Sequence, residues 1–169
     1  TGHGVPAGIV SSIASALFYG FSDKIDLREI IIKVNSVLKV KTMPNMFMTL
    51  CLMEWDSALK KFSFVSAGHE QLMHYKAADK KAVLAPSGGI ALGMLPDISK
   101  ATNVQNLDLS SGDFVVCYSD GIPEAWKNEK ESYGMERLKL AVEKFAAIAK
   151  TAEEFKKMLL DDVYAFMGD

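Results

Sequence analysis

The sequence predicts an α+β fold in which helices come first and last and antiparallel strands fill the middle. Apolar residues recur at helical spacing before about residue 40 and again after residue 134. Between these segments, short apolar runs alternate with turn residues, and the connections are too short for parallel crossovers. Strands joined in this way are expected to pair antiparallel, with the helices packed against them.

The composition indicates one globular domain of 169 residues with 49% apolar residues, 24% charged residues and a net charge of −2. This charge suggests neither a nucleic-acid-binding nor an anionic-membrane surface. Cys51 and Cys117 lie in apolar runs without a CxxC pair, and they predict buried, reduced thiols in a cytoplasmic protein. We expect no signal peptide, no run long enough to span a bilayer and no direct membrane insertion.

The N-terminal third predicts an antiparallel pair of helices. The first helix has two adjacent apolar stripes and is therefore expected to be well buried. The stripes consist of Ile9, Ile13, Ala16 and Leu17, and of Val10, Ala14 and Phe18. Asp26 and Glu29 form a capping-box pattern that opens the second helix, which is expected to reach about Val40.

Two unbroken apolar runs, Met46–Trp55 and Phe114–Tyr118, predict central strands that are covered on both faces. Shorter strands are expected near residues 62–67, 72–75, 82–84 and 104–109. Pro123 and Glu124 predict the start of a short helix. Two longer helices are expected to follow, one from about Met135 and one capped by Thr151 and Glu154.

Four short glycine-containing motifs are candidates for function. They are Gly2-His3-Gly4, Ser66-Ala67-Gly68-His69, Ala91-Leu92-Gly93-Met94 and Tyr118-Ser119-Asp120-Gly121-Ile122-Pro123-Glu124-Ala125. Gly2 and Gly4 permit unusual backbone angles, and Pro6 suits the first turn of a helix. A loop that opens a helix presents N–H groups to an anion. The alternative interpretation is a flexible loop that only starts a helix.

Asp120 is the leading candidate for a metal ligand, because it follows an apolar strand at a glycine turn. Hard divalent cations prefer oxygen ligands, and strand ends place carboxylates rigidly. The alternative is that Asp120 caps the helix predicted near Pro123. Gly121 is expected to allow the sharp turn and to face the site with its backbone, whereas Glu124 either supports the site or is a favourable charge in a helix first turn.

The three histidines do not predict a zinc site, since cysteine or HExxH spacing is absent. His3 is a candidate catalytic residue that orients a water or a phosphate, with a surface position as the alternative. His69 follows a strand and is expected either to pack locally or to hold another residue of the site in position. His74 lies within a strand pattern and is expected to be structural.

In this order and at these separations, the four motifs resemble the sporulation stage II protein E-like branch of the metal-dependent serine/threonine protein phosphatases. The resemblance runs from Thr1 to about Tyr133 and loosely through the last helix. It implies two packed antiparallel sheets with helices on both outer faces, an α/β/β/α sandwich. It also implies that Asp120 binds one of two Mg²⁺ or Mn²⁺ ions, and that metal-activated water hydrolyses phosphoserine or phosphothreonine.

The resemblance further implies a bacterial partner-switching role in sigma-factor regulation. The expected substrate is a phosphorylated anti-anti-sigma-type protein, and the expected regulator is an upstream sensor domain. The first helix pair is expected to regulate the enzyme or to form a homodimer. None of these partners is identified by the residues themselves.

The sequence also departs from the family pattern at both ends. The family's aspartate before the glycine loop would precede Thr1, and its strand with an Asp-Asp pair would follow Asp169. Asp161-Asp162 is not that pair, because it falls inside the predicted last helix. We therefore expect a segment with missing terminal strands that binds metal poorly and is inactive alone. The alternative is a non-catalytic phosphatase-fold interaction module, while a nucleotide-binding loop is disfavoured because a P-loop lysine is absent.

Overall fold

The computed structural model describes residues 2, 4–21, 26–42 and 46–168. The helices are α1 (Gly4–Phe21), α2 (Leu27–Lys41), α3 (Gly134–Ala146) and α4 (Ala152–Met167), and a 3₁₀ turn lies at Ser99–Ala101. The strands are β1 (Leu50–Asp56), β2 (Lys61–Ala67), β3 (Met73–Lys76), β4 (Lys81–Leu84), β5 (Gln105–Leu107), β6 (Phe114–Val116), β7 (Trp126–Asn128) and β8 (Glu131–Ser132).

The chain forms two compact units, each discontinuous in sequence. The first unit comprises residues 1–69 and 87–108, and the second comprises residues 70–86 and 109–169. These units are defined by compactness in space, which does not show whether each is a separate domain. The single domain therefore remains a prediction.

The first unit is an antiparallel sheet in the order β1-β2-β5, with α2 packed on it and α1 packed on α2. β1 and β2 pair from Leu50↔Ala67 to Asp56↔Lys61. The predicted cap of α2 is confirmed, because the Glu29 N–H donates to Asp26 Oδ1 at 2.8 Å. The centre of this core is fully buried and consists of Ile31, Val34, Leu38, Val65 and Leu92.

The second unit is an antiparallel sheet in the order β4-β3-β6, covered by α3 and α4, together with the small hairpin β7-β8. Glu143 of α3 accepts hydrogen bonds from the Ala82 N–H and from Lys81 Nζ, both at 3.1 Å, so α3 covers part of the β4 edge. The predicted cap of α4 is confirmed by the Glu154 N–H, which donates to Thr151 Oγ1 at 3.1 Å. Helices and antiparallel sheets in both units bear out the α+β prediction.

The prediction that two apolar runs form central strands is wrong. β1 begins at Leu50 rather than Met46 and lies at the edge of the sheet that the described residues form. Its Met53 and Trp55 are 41% and 52% exposed. β6 pairs only with β3 among the described strands, although its Val116 is buried. An apolar run reports the character of the side chains, whereas the place of a strand in a sheet depends on its neighbours.

The prediction that α1 is well buried is also wrong. Only Ala7, Val10 and Ala14 are buried, whereas Val5 and Tyr19 are 77% and 89% exposed. The reason is geometric, because α1 packs mainly against α2 and contacts it along one stripe. A helix with apolar residues on two stripes needs a second neighbour to cover the other one.

The length and composition of α1 contradict the expectation that no apolar run is long enough to span a bilayer. α1 has 18 residues and a mean hydropathy of 1.4, and it alone among the described helices is long and apolar enough to cross a membrane. Core helices of soluble proteins and signal sequences meet the same criterion. The predicted cytoplasmic location stays a prediction.

Candidate functional site

The turn that carries Asp120 is closed by a backbone hydrogen bond inside it and is held at its C-terminal end by two more. The Glu124 N–H donates to the Asp120 carbonyl at 2.8 Å, inside the turn. The Tyr133 N–H donates to the Ala125 carbonyl at 2.7 Å, and the Gly134 N–H donates to the Pro123 carbonyl at 2.8 Å. The turn is therefore tied to the start of α3, which gives the Asp120 backbone a defined position.

The predicted short helix at Pro123 and Glu124 is wrong, because residues 120–124 form a turn that leads into β7. Two consequences follow for the carboxylates. Asp120 caps no helix at this place, and Glu124 does not lie in a helix first turn. The carbonyls of Pro123 and Ala125 accept hydrogen bonds from the N–H groups of Gly134 and Tyr133, which follow β8. An α-helix would instead use these carbonyls for N–H groups four residues further along the chain, so no helix continues from this turn.

The Asp120 side chain is exposed, and no described residue donates a hydrogen bond to it. Its carboxylate oxygens are thus available to a ligand. Gly121 adopts no left-handed backbone, so the turn does not need glycine for its φ angle. A Cβ there would lie 3.4 Å from Ser119 Oγ, an ordinary van der Waals contact, so the turn does not exclude a side chain at this position for lack of space. The carboxylate of Glu124 is exposed as well.

The start of α1 carries the predicted glycine loop. Gly2 and Gly4 have φ angles of +76° and +79°, as expected for positions that favour glycine. α1 begins at Gly4 and holds Pro6 in its first turn, as predicted. His3 lies outside the described residues, so its candidate catalytic role stays a prediction.

The end of β2 packs against the loop at residues 88–91, and two glycines make that contact possible. Gly68 has φ +68°, and a Cβ there would lie 2.9 Å from the Ala91 nitrogen. Gly89 has φ +88°, and a Cβ there would overlap the Ser66 carbonyl. His69 is half-buried beside this contact, and its carbonyl accepts a bond from Ser66 Oγ at 3.3 Å.

We expect Gly89→Ala to destabilise the first unit by about 2–4 kcal/mol, since it combines a strained φ with backbone overlap. Chemical denaturation of the complete protein measures this loss. Gly88→Ala is the matched control, because Gly88 has no atom within 4 Å of the added Cβ and no positive φ. Equal stability of the two variants would contradict the close-packing role of Gly89.

The loop at residues 93–96 is held by α2, a feature that the sequence analysis missed. The buried Asn35 accepts the Gly93 N–H at 2.9 Å and donates to the Leu95 carbonyl at 3.1 Å. Lys39 Nζ donates to the Met94 carbonyl at 3.2 Å. The signal available in the sequence was an asparagine beside Val34 in the apolar stripe of α2. A buried amide requires partners, and this loop supplies them.

The candidate site residues fall into two groups. Asp120, Gly121 and Glu124 lie together on one turn of the second unit, whereas Gly2, Gly4 and His69 belong to the first unit. Across the described parts of the chain, no group of three or more His, Cys, Asp or Glu residues is placed to hold a metal ion. A dinuclear centre needs several carboxylates, so the described residues alone do not make up a complete one.

The structure accounts for both aspartates near the end of α4. Asp161 accepts a bond from Lys157 Nζ at 2.6 Å on the helix surface. Asp162 accepts the Tyr133 hydroxyl at 2.6 Å, which explains a carboxylate on the inner stripe of the helix. Burial, together with this bond, raises the pKa of Tyr133 far above its ordinary value and keeps the hydroxyl a donor.

The cysteines are less buried than predicted. Cys51 is half-buried and Cys117 is exposed. Cys117 follows β6 at the point where the regular pairing with β3 has ended, so its side chain is not enclosed by the sheet. Partial burial still raises the pKa of the Cys117 thiol above its ordinary value.

Comparison with known sequences identifies a family. The sequence model described as Stage II sporulation protein E (SpoIIE) matches residues 1–169. The phosphoserine phosphatase RsbU of Bacillus subtilis (strain 168) is 26% identical over 124 residues, which are 73% of this chain and 36% of that protein. The chain thus spans about a third of the length of this relative.

Comparison with solved structures shows the fold. The RsbU and RsbW domains of Rv1364c from Mycobacterium tuberculosis match with a TM-score of 0.76 and 22% identity, over 99% of this chain and 45% of that one. The PP2C phosphatase domain of Bacillus subtilis SpoIIE, with a fragment of its regulatory domain, gives 0.70 and 20%, over 92% and 44%. RsbX in complex with magnesium gives 0.69 and 15%, over 99% and 72%. The predicted α+β sandwich class is confirmed.

Proposed function

The chain belongs to the Stage II sporulation protein E (SpoIIE) family, and we propose that the complete protein is a Mg²⁺- or Mn²⁺-dependent protein-serine/threonine phosphatase. The observation that carries the proposal is the family match across all 169 residues. The similarity to RsbU, which is named a phosphoserine phosphatase, supports the reaction class. The RsbX structure with magnesium supports a divalent cation as cofactor.

We propose Asp120 as one metal ligand, because its exposed carboxylate has no described partner and its turn is tied by backbone hydrogen bonds to the start of α3. Gly121 lies beside it, and Glu124 is proposed to support the ligand from the same turn. The remaining ligands are proposed to come from positions outside the described residues. For the first unit, we propose that Gly2, His3 and Gly4 lie close to the substrate phosphate, while His69 has a supporting role.

We further propose that the substrate is a phosphorylated anti-anti-sigma-type protein and that the complete protein acts in the cytoplasm under a sensor domain. Two similarities support this partner class. RsbU is a relative at 26% identity, and the Mycobacterium tuberculosis protein Rv1364c holds RsbU and RsbW domains. Partner switching then follows from removal of the phosphate, which changes the charge and the hydrogen bonding of the partner surface.

Phosphate release by the complete protein tests this function. We expect release from a phosphoserine or phosphothreonine peptide in Mn²⁺ or Mg²⁺, loss of release in EDTA, and recovery when the metal is restored. A phosphotyrosine peptide of the same sequence is the control and is expected to be a poor substrate. Metal-independent release, or equal release from phosphotyrosine, would contradict the assignment.

A second candidate function is a non-catalytic interaction module of the same fold. The observation that favours it is that the described residues hold no cluster of three metal-ligating side chains. Calorimetric titration of Mn²⁺ into the complete protein separates the two candidates. Two tight sites together with phosphate release support the phosphatase, whereas undetectable Mn²⁺ binding and no release support the interaction module.

A further inference from the structure

The second unit has an open groove between α3 and α4, bordered at one side by β7. Its volume is about 500 Å³. The lining residues are Lys127, Arg137, Leu140, Ala141, Lys144, Asp162, Ala165 and Phe166. We propose that this groove docks an acidic protein segment that carries an apolar side chain. The inference goes beyond the proposed phosphatase function, since docking requires neither the metal nor turnover.

The first argument is charge. The lining contains three cations, Lys127, Arg137 and Lys144, from three places in the chain, and one carboxylate, Asp162. Lys127 and Lys144 are exposed, and neither forms an ion pair with any described residue. Complementary charge on a partner steers association and selects the partner.

Asp162 and Glu131, two acidic groups near these cations, already have partners inside the unit. Asp162 accepts the Tyr133 hydroxyl at 2.6 Å, which ties α4 to the residue that precedes α3. Glu131 lies 3.5 Å from Arg137 Nη2, in an exposed ion pair. With one carboxylate against three cations in the lining, the groove remains net positive even though the chain carries a net charge of −2.

Arg137 is preorganised for an anionic partner. Its guanidinium lies over the Phe166 ring, 4.2 Å from the ring centre, and 5.8 Å from the centre of the Tyr133 ring. Stacking of this kind restricts the side chain, while the N–H groups that do not face Glu131 stay available at the edge of the guanidinium plane. A carboxylate that binds there therefore loses less side-chain entropy than at an unrestrained arginine.

The second argument is an apolar side chain among the cations. Leu140 lies between Arg137 and Lys144 on the face of α3 that lines the groove, and it is 63% exposed. A groove wall on which an exposed leucine lies between two cations fits an amphipathic acidic segment. It fits nucleic acid less well, because single strands are bound mainly through stacked bases and phosphates.

Binding of designed peptides to the complete protein tests the proposal. The probe is a fluorescein-labelled 14-residue peptide of glutamate with leucine at every third or fourth position, measured by anisotropy. We expect Lys127→Glu with Lys144→Glu to weaken binding at least tenfold, and Leu140→Ser to weaken it at least threefold. Lys76→Glu with Lys156→Glu is the matched control, because both lysines are exposed in the same unit and change the net charge equally.

The control variant is expected to bind within twofold of the unchanged protein. The same peptide with every glutamate replaced by glutamine, and a 14-residue oligothymidylate, are expected to bind at least tenfold more weakly. Several outcomes would overturn the proposal: no binding of the acidic peptide, equal losses in the two charge-reversal variants, or tighter binding of the oligonucleotide. Thermal unfolding of each variant shows whether it remains folded.

Discussion

Replacing Asp120 by asparagine in the complete protein is expected to lower Mn²⁺-dependent phosphate release at least ~100-fold at saturating peptide. Asparagine keeps the size of the side chain but removes its negative charge, and a divalent cation binds a neutral amide oxygen less strongly than a carboxylate. Because no described residue donates a hydrogen bond to the Asp120 side chain, the substitution breaks no described contact of that side chain. The stability of the fold should therefore change by less than ~0.5 kcal/mol.

Asp79→Asn is the matched control for this experiment. Asp79 is also an exposed aspartate in a turn of the second unit, between β3 and β4. It is expected to leave both phosphate release and stability unchanged. Near-normal turnover of Asp120→Asn at saturating Mn²⁺ would refute the metal-ligand assignment, and so would an equal loss of activity in both variants.

Asp113→Ala is expected to cost about 3–5 kcal/mol of unfolding free energy, as for the loss of a buried carboxylate that satisfies several hydrogen-bond donors. One Asp113 oxygen lies 2.9 Å from His74 Nε2, and this pair is almost completely buried. The carboxylate also accepts the Ala77 N–H at 2.8 Å and the Ser110 N–H at 3.0 Å. Removing it leaves these groups of two chain segments without their acceptor.

Urea denaturation of the complete protein measures this loss, with Asp108→Ala as the control. Asp108 is exposed and forms no hydrogen bond to a described side chain, so its replacement should cost less than ~0.5 kcal/mol. A small loss for Asp113→Ala would show that the buried pair contributes little.

The pH dependence of stability gives a second readout of Asp113. Burial opposes ionisation of this carboxyl, but the N–H groups of Ser110 and Ala77, together with His74, outweigh it, so its pKa lies below the ordinary value. A group with a lowered folded-state pKa contributes stability above its unfolded pKa of about 3.9 and loses it as the pH falls through the folded value. We expect Asp113→Ala to reduce the loss of stability between neutral and acidic pH.

Local patterns in the sequence determined the order and type of most elements. Asp26 and Thr151 cap α2 and α4 as predicted, because a cap depends on residues only three apart. The strands β3 and β4 were predicted for the same reason, because the alternation of their side chains and the residues of the turn between them, which includes Asp79, are local features. The spacing of the four motifs was enough to identify the family, because a family is recognised by particular residues in a fixed order along the sequence.

The candidate site was predictable only in part. Asp120 was identified by its place after an apolar strand, and the structure exposes it on a turn. The helix predicted at Pro123 did not form, because the carbonyl of Pro123 bonds to the Gly134 N–H, eleven residues further along the chain. A competing partner at that separation cannot be seen in a window of local residues.

Only the tertiary structure decided which apolar faces are covered and which polar groups are satisfied. α1 and β1 have the apolar patterns of buried elements, yet Tyr19 and Trp55 are largely exposed. The sequence does not explain why Asp162 lies in the apolar stripe of α4. The structure does, because the carboxylate of Asp162 accepts a hydrogen bond from the Tyr133 hydroxyl. Periodicity records which side chains share a face, whereas burial and hydrogen bonding depend on segments that are distant in sequence.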